Sequence, residues 1–149
     1  MKNRILTYVL IGLLAITAGM IWSILSMKDQ ESTRVFDATV NRDCAPWDGP
    51  AFTVSVPYDV GSVIEISVWR SPGIRFPTTL TFPDQTGKIG NALYKPHFGT
   101  SGQLNGIVSF TQFEEGSPVT GEFNLRTDNG NQDHGKFRAI WENKIAICG

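Results

Sequence analysis

The side chains that could do chemistry in this chain are few. It has two histidines, His97 and His134, and both fall in segments rich in glycine and polar residues, which we expect to be loops. Ser101, one histidine and a loop aspartate could form a Ser-His-Asp triad, because such a triad is defined by geometry and not by sequence order. The segment around Ser101 lacks the G-x-S-x-G spacing of a nucleophile elbow, however. We therefore interpret both histidines as exposed loop residues without a catalytic role. A hydrolase that uses the loops of His97 and His134 is kept as an alternative.

Oxygen-bearing side chains crowd into residues 128–133, where Asp128, Asn129, Asn131 and Asp133 lie close together in the sequence. Such side chains suit Ca²⁺, but an EF-hand loop needs glycine at its sixth position and glutamate at its twelfth. Here glycine comes third and the glutamate is missing. A solvated turn with local Asx hydrogen bonds explains the same residues. We predict no metal site and no cofactor, and keep a calcium-stabilised adhesion module as a further alternative.

The two cysteines, Cys44 and Cys148, are interpreted as one disulfide. Their positions rule out the C-x-x-C spacing of redox and zinc sites. Two cysteines that bracket a domain in an oxidising compartment pair most simply with each other. We predict Cα atoms roughly 4.4–6.8 Å apart, so the end of the domain must lie beside its beginning.

Trp47 and Trp69 are the candidate binding residues. If the apolar side chains within residues 64–68 face the core, the alternation of a strand turns Trp69 outward. Trp47 lies in a segment bounded by prolines at residues 46 and 50. An exposed aromatic side chain on a sheet can anchor a protein or carbohydrate partner. The structural alternatives are that Trp69 packs under a crossing loop and that Trp47 covers the disulfide.

Residues 5–27 form an apolar run without a charged side chain, preceded by Lys2 and Arg4. A helix of this length is about 34 Å long, enough to cross a hydrocarbon core of roughly 30 Å. Signal peptides usually have a shorter apolar region and a small-residue cleavage site, and no convincing site is present. We predict that residues 1–27 are a transmembrane anchor or uncleaved signal segment with a cytoplasmic N-terminus. A cleaved signal peptide, giving a secreted or periplasmic protein, is the alternative.

The rest of the chain favours an all-β fold, because apolar residues recur with period two and no window has helical spacing. Residues 28–43 are interpreted as a juxtamembrane linker with a short strand at 35–40, and residues 44–149 as an extracytoplasmic domain. We predict an antiparallel β-sandwich, or a small barrel, of about seven to nine strands. The predicted strands of the domain cover residues 51–56 (ended by Pro57), 63–69, 78–82, 88–94, 107–113, 119–125, 135–141 and 144–148.

The clearest alternation is the pair of segments 119–125 and 135–141, which flank Asn129-Gly130, a strong hairpin-turn signal. Glycines 121 and 135 share the predicted buried face, where a missing side chain permits close approach by a ring. That face is predicted to carry Phe123, Leu125, Phe137 and Trp141, with Glu122, Lys136, Arg138 and Ile140 facing solvent.

Net charge excludes a strongly basic nucleic-acid binder. The whole chain has a net charge of −1, and two of its 13 basic residues precede the apolar run. Phosphate recognition would need a clustered positive patch. With no catalytic constellation, we predict a non-catalytic, single-pass membrane protein. Its extracytoplasmic domain would bind a protein or carbohydrate partner or belong to an envelope assembly.

Overall fold

The computed structural model describes residues 34–69, 74–144 and 146–148, and its regular structure is entirely β. The predicted transmembrane segment at residues 1–27 lies outside the described residues. Within the described ranges, no helix is long and apolar enough to span a membrane. The strands are β1 (Val35–Cys44), β2 (Pro50–Asp59), β3 (Ser62–Trp69), β4 (Thr78–Phe82), β5 (Gly90–Lys95), β6 (Gly102–Gln112), β7 (Val119–Thr127) and β8 (Gln132–Trp141).

Seven of these strands close into a barrel, in the order β1-β2-β3-β5-β6-β7-β8 and back to β1. β8 pairs with β1 in parallel, from Val35↔Lys136 to Val40↔Trp141, and all other pairings are antiparallel. β4 pairs with the second half of β6, beyond the point where β6 leaves β5. The all-β prediction is confirmed, and of its two architectures the structure has the barrel. Closure pairs β1 on both sides, so the sheet has no free edge there.

Alternate residues of every strand fill the barrel. Five phenylalanines are buried in the core, whereas Trp141, which the alternation placed on the buried face, is only partly buried because it lies at the end of β8. The buried phenylalanines are Phe52, Phe82, Phe110, Phe123 and Phe137.

The hairpin of β7 and β8 has the predicted register, with Gly121 opposite Phe137 and Phe123 opposite Gly135. A Cβ atom added at Gly121 would lie 2.6 Å from the ring of Phe137, and one at Gly135 would lie 2.4 Å from the ring of Phe36. These glycines therefore make room for aromatic rings, as their shared face predicted.

Several strand boundaries differ from those expected, and β6, for example, begins at Gly102 and not at residue 107. β1 runs on to Cys44, so the barrel takes in residues 35–43 of the expected linker, since β1 fills the gap between β2 and β8. β2 continues through Pro57, which is exposed and adjoins an irregularity in the pairing with β3, a position where a proline is tolerated. The expected strand at 144–148 is wrong, because its described residues lie in no strand.

The barrel has two ends, which differ in what they carry. At the Arg34 end lie the start of β1, the β2–β3 turn, the β5–β6 loop (residues 96–101) and the β7–β8 turn. At the opposite end, here called the disulfide end, lie the β1–β2 loop (residues 45–49), the β6–β7 turn and residues 142–148. The two sets of loops lie a strand length apart.

Candidate binding site

Cys44 and Cys148 form a disulfide with a Cα–Cα distance of 5.6 Å, inside the predicted window. The sulfur of Cys148 lies 3.9 Å from the carbonyl oxygens of both Asp43 and Gly49. The described part of the chain contains no free cysteine. The bond therefore fastens the C-terminal segment to the β1–β2 loop, which carries Trp47.

Trp47 and Trp69 meet at the disulfide end. Their ring centroids are 5.4 Å apart and their planes are nearly perpendicular, the edge-to-face arrangement that aromatic rings prefer. Trp69, the last residue of β3, lies opposite Ala51, so Trp69 stands next to the loop that carries Trp47. Trp69 is half-buried, while 49% of Trp47 remains exposed. Both sequence-predicted binding residues thus belong to one surface, here called the tryptophan pair.

The β1–β2 loop holds Trp47 in a defined position. The Ala45 amide donates to the Gly49 carbonyl at 2.8 Å, and the Asp48 amide donates to the Ala45 carbonyl at 2.9 Å. Asp48 takes a φ of 61°, which aspartate tolerates in turns. A Cβ atom at Gly49 would lie 2.5 Å from the indole nitrogen of Trp47, so only glycine leaves room for this ring.

A row of small polar side chains crosses the outer face of four strands beside the tryptophan pair. Asn41, Thr53, Ser67 and Asn91 lie in register on β1, β2, β3 and β5. The Thr53 hydroxyl donates to the Asp43 carboxylate at 2.7 Å and lies 2.9 Å from the Ser67 hydroxyl. The side-chain oxygens of Asn41 and Asn91 accept no hydrogen bond from any described residue. These two oxygens are buried and the Thr53 hydroxyl already donates to a carboxylate, so the row is only partly open to a partner that stacks on the exposed indole.

An ion pair lies across the mouth of the barrel at the disulfide end. Arg42 Nε donates to Glu115 at 2.6 Å, and the Arg42 guanidinium lies 5.7 Å from the centre of the Trp141 ring. Both charged side chains are about half exposed, so the pair contributes little to stability. It borders a cavity of about 230 Å³ between Phe52 and Trp141, which is smaller than most ligand sites.

A larger cavity, about 470 Å³, opens at the Arg34 end and is lined by Tyr58, Tyr94 and Asp133 among others. The Tyr58 hydroxyl donates to the Asp133 carboxylate. That hydrogen bond, helped by burial and by the negative charge of Asp133, raises the pKa of Tyr58 to about 12. The hydroxyl therefore stays protonated at neutral pH and acts as a donor. The period-two alternation of the sequence is enough to place Tyr58 and Tyr94 on inward positions. It does not show that the two rings lie near each other, 6.4 Å apart.

The residues considered for catalysis and metal binding are not assembled into a site. The ring of His97 packs on the β2–β3 turn, where a Cβ atom at Gly61 would lie 2.5 Å from its Nδ1 atom. The loop expected for His134 is wrong, because β8 starts at Gln132 and His134 lies on its outer face opposite Asn124. Ser101 is exposed in the β5–β6 loop.

The oxygen-bearing side chains of residues 128–133, considered for calcium binding, do not form a cluster either. Asp128 accepts a hydrogen bond from Asn105, and Asp133 accepts one from Tyr58 on a different strand. Across residues 34–69, 74–144 and 146–148, no group of three or more histidine, cysteine, aspartate or glutamate side chains is placed to hold a metal ion.

Comparison with protein-family models, with curated proteins and with solved structures finds no match to this chain.

Proposed function

We propose that this chain is a membrane-anchored, extracytoplasmic β-barrel that binds a protein or carbohydrate partner through the tryptophan pair and catalyses no reaction. The observation that carries the proposal is the meeting of Trp47 and Trp69 at the disulfide end, with about half of Trp47 exposed. Exposed aromatic side chains with a rigid surround are the commonest anchors of binding energy.

Rigidity of the site supports a binding role. The disulfide, the hydrogen bonds of residues 45–49 and the space left by Gly49 all restrain Trp47 before any partner arrives. Such pre-organisation lowers the entropy lost on association. The Thr53 and Ser67 hydroxyls, half-buried on the neighbouring strands β2 and β3, add hydrogen-bonding groups beside the indole rings.

The membrane anchor and the extracytoplasmic location are supported by the sequence and by the disulfide. Residues 5–27 are long and apolar enough for a span, and the basic residues Lys2 and Arg4 favour a cytoplasmic N-terminus. Disulfides persist mainly in oxidising, extracytoplasmic compartments, which is where the anchor would place the barrel.

Photo-crosslinking in the source cells tests the binding surface. A photoreactive phenylalanine analogue replaces Trp47 in one variant and Val60 in the control, because Val60 is 95% exposed at the β2–β3 turn, at the other end of the barrel. We expect an adduct from position 47 only, which disappears when Trp69→Ala is added. Digestion of the adduct with protease or with glycosidase shows whether the crosslinked partner is a protein or a carbohydrate. Equal adducts from both positions, or none from position 47, would contradict the proposal.

A further inference from the structure

We propose that the cavity at the Arg34 end of the barrel is a second binding site, which takes a neutral sugar between Tyr58, Tyr94 and Asp133. The site lies at the opposite end of the barrel from the tryptophan pair. It depends neither on that pair nor on the membrane anchor, because its ligand is a small molecule that enters the mouth of the barrel.

The two mouths of the barrel are filled differently. At the disulfide end the ring centroid of Phe113 lies 4.4 Å from that of Phe52 and 4.3 Å from that of Phe76, so packed phenyl rings fill this mouth. The cavity there has about 230 Å³, whereas the cavity at the Arg34 end has about 470 Å³. The larger volume is typical of small-molecule sites, which are often found in the mouths of β-barrels. The Arg34 mouth is therefore the one with room for a ligand.

The lining of the Arg34 mouth combines aromatic faces with hydroxyls and a carboxylate. The rings of Tyr58 and Tyr94 are 6.4 Å apart and nearly perpendicular, and Thr127 and Asp133 line the same cavity. These side chains come from four different strands, β2, β5, β7 and β8. A pyranose has an apolar face of C–H groups and a rim of hydroxyls. It can therefore stack on a tyrosine ring while its hydroxyls bond to the polar groups.

The central hydrogen bond of the site is in place before a ligand arrives. The Tyr58 hydroxyl donates to the Asp133 carboxylate, and the Phe36 ring supports the Tyr58 ring with centroids 6.0 Å apart. Because the pKa of Tyr58 is raised to about 12, the phenol keeps its proton at neutral pH. An ionised carboxylate accepts several hydrogen bonds, so Asp133 can also take donors from a ligand. Such pre-organisation lowers the entropy lost on binding.

A buried hydroxyl beside the mouth also favours a ligand that carries hydroxyls. Ser62 lies opposite Asp59 and is 5% exposed, and its Oγ atom has no hydrogen-bond partner among the described residues. It occupies an inward position of β3, two residues nearer the mouth than Ile64, which pairs with Tyr94. A buried hydroxyl without a partner costs free energy, which a hydrogen-bonding ligand can recover.

Charges around this mouth nearly balance, which favours a neutral ligand. The described residues at this end include four basic and five acidic side chains: Arg34, Lys95, Arg126 and Lys136, and Asp59, Glu65, Glu122, Asp128 and Asp133. Lys95 is paired with Glu65 at 2.5 Å on the outer face of the sheet. No strong field of one sign therefore selects an anion or a cation. We expect binding that changes little with salt, since screening affects only charge interactions.

Fluorine NMR of the labelled full chain tests the site. One sample carries 3-fluorotyrosine and another 5-fluorotryptophan, both in micelles of a polyoxyethylene detergent, which has no sugar headgroup. Glucose, galactose, mannose and N-acetylglucosamine are each added into the millimolar range, where weak binding of a small ligand becomes visible. We expect at least one of them to shift the signals of Tyr58 and Tyr94 saturably. Tyr58→Phe and Tyr94→Phe assign those signals.

A pair of matched substitutions locates the binding. Asp133→Asn should weaken it at least about tenfold, because a charged acceptor is lost, whereas Asp128→Asn should change it by less than about twofold. Asp128 accepts a hydrogen bond from Asn105 and does not line the cavity. If Asp133→Asn fails to fold, Thr127→Val takes its place and should weaken binding at least about threefold through the loss of a hydroxyl.

Unchanged tyrosine signals with all four sugars overturn the proposal, and so do equal affinities of the Asp133→Asn and Asp128→Asn variants. Shifts with tetramethylammonium but with none of the sugars also overturn it, because they would show an aromatic site for a cation. The signals of Trp47 and Trp69 are read separately, so failure of this site and failure of the tryptophan pair are distinguishable. Val60 does not line the cavity, so the crosslinking control at that position reports on neither site.

Discussion

At the scale of single residues, stability is concentrated where aromatic rings pack over glycines. Phe137 is buried, lies 5.7 Å from the Phe110 ring centre, and fills the space that a side chain at Gly121 would occupy. Its neighbour Arg138 points to solvent from the other face of β8. Adjacent positions on one strand therefore have opposite energetic roles.

Phe137→Ala is expected to lower the free energy of unfolding by roughly 3–5 kcal/mol, because it removes a buried ring and leaves a cavity. Arg138→Ala should change it by less than about 0.5 kcal/mol, since exposed substitutions usually do. Denaturant midpoints of the two variants measure the difference. A larger loss for Arg138→Ala would mean that the register of β8 is wrong.

Tyr58 makes stability depend on pH in the alkaline range. Its pKa of about 12 in the folded protein lies above the ordinary value of 10.0, so the folded state holds the phenolic proton more tightly than the unfolded state. The contribution of its hydrogen bond to Asp133 is therefore complete below pH 10 and lost as the pH rises toward 12. Tyr58→Phe should flatten the fall in stability across that interval.

An absorbance titration of tyrosinate checks the assignment. The component near pH 12 should vanish in Tyr58→Phe and shift to lower pH in Asp133→Asn, because the carboxylate charge and its hydrogen bond both favour the neutral phenol. Tyr94→Phe, on the neighbouring ring, is the control and should retain the component. If Tyr58→Phe leaves the titration unchanged, the bond to Asp133 does not govern it.

At the scale of strands, the change of partner along β6 depends on one glycine. Gly106 has a φ of 145° and lies opposite Phe82 and Leu125, where β6 pairs with β4 on one side and β7 on the other. A Cβ atom there would lie 2.2 Å from the backbone oxygen of Asn124. Close approach of three strands is thus possible only without a side chain at this position.

Gly106→Ala is expected to destabilise the barrel by more than about 2 kcal/mol, because the backbone must strain or the strands must separate. Gly102→Ala on the same strand is the control, since a Cβ atom there meets no atom within 4 Å, and it should change stability by less than about 0.5 kcal/mol. Urea unfolding of both variants decides the matter. Equal stabilities would show that the β6–β7 pairing tolerates a side chain at residue 106.

At the scale of the whole molecule, closure of the barrel depends on β1. This strand is antiparallel to β2 and parallel to β8, so it closes the ring between β2 and β8. Without it, β2 and β8 would each present an unpaired edge, which invites association with other chains. Because β1 occupies Val35–Cys44, a barrel that starts at residue 44 would lose nearly all of this strand.

A chain that starts at residue 44 should therefore associate or remain partly unfolded, whereas a chain that starts at residue 34 should be a monomer with one cooperative unfolding transition. Both retain Cys44 and Cys148, so the disulfide does not distinguish them. Size-exclusion chromatography and far-ultraviolet circular dichroism measure the outcome. A monomeric, cooperative chain from residue 44 would show that β1 is dispensable.

The amino-acid sequence by itself determined the approximate positions of most strands, the buried faces, the β7–β8 hairpin and the disulfide. β4 spans Thr78–Phe82 as predicted, Phe123 and Phe137 are buried, and Cys44 bonds to Cys148. The buried faces follow from local alternation, because a one-residue slip in strand register would expose every buried side chain. The disulfide follows from the presence of only two cysteines in the sequence. Only the tertiary structure decided how the strands outside this hairpin pair with one another.

Strands with the same apolar pattern can pack as two facing sheets or as one closed sheet. The barrel forms because β1 pairs in parallel with β8, which is far from it in the sequence. Pairing of β2 with β3 brought the loop of Trp47 to Trp69, and closure of the ring joined Tyr58 on β2 to Asp133 on β8. Period-two alternation gives a side chain its face of the sheet, but not its partner across the barrel. The proposed sites consist of such partners, and they could not be predicted from the sequence.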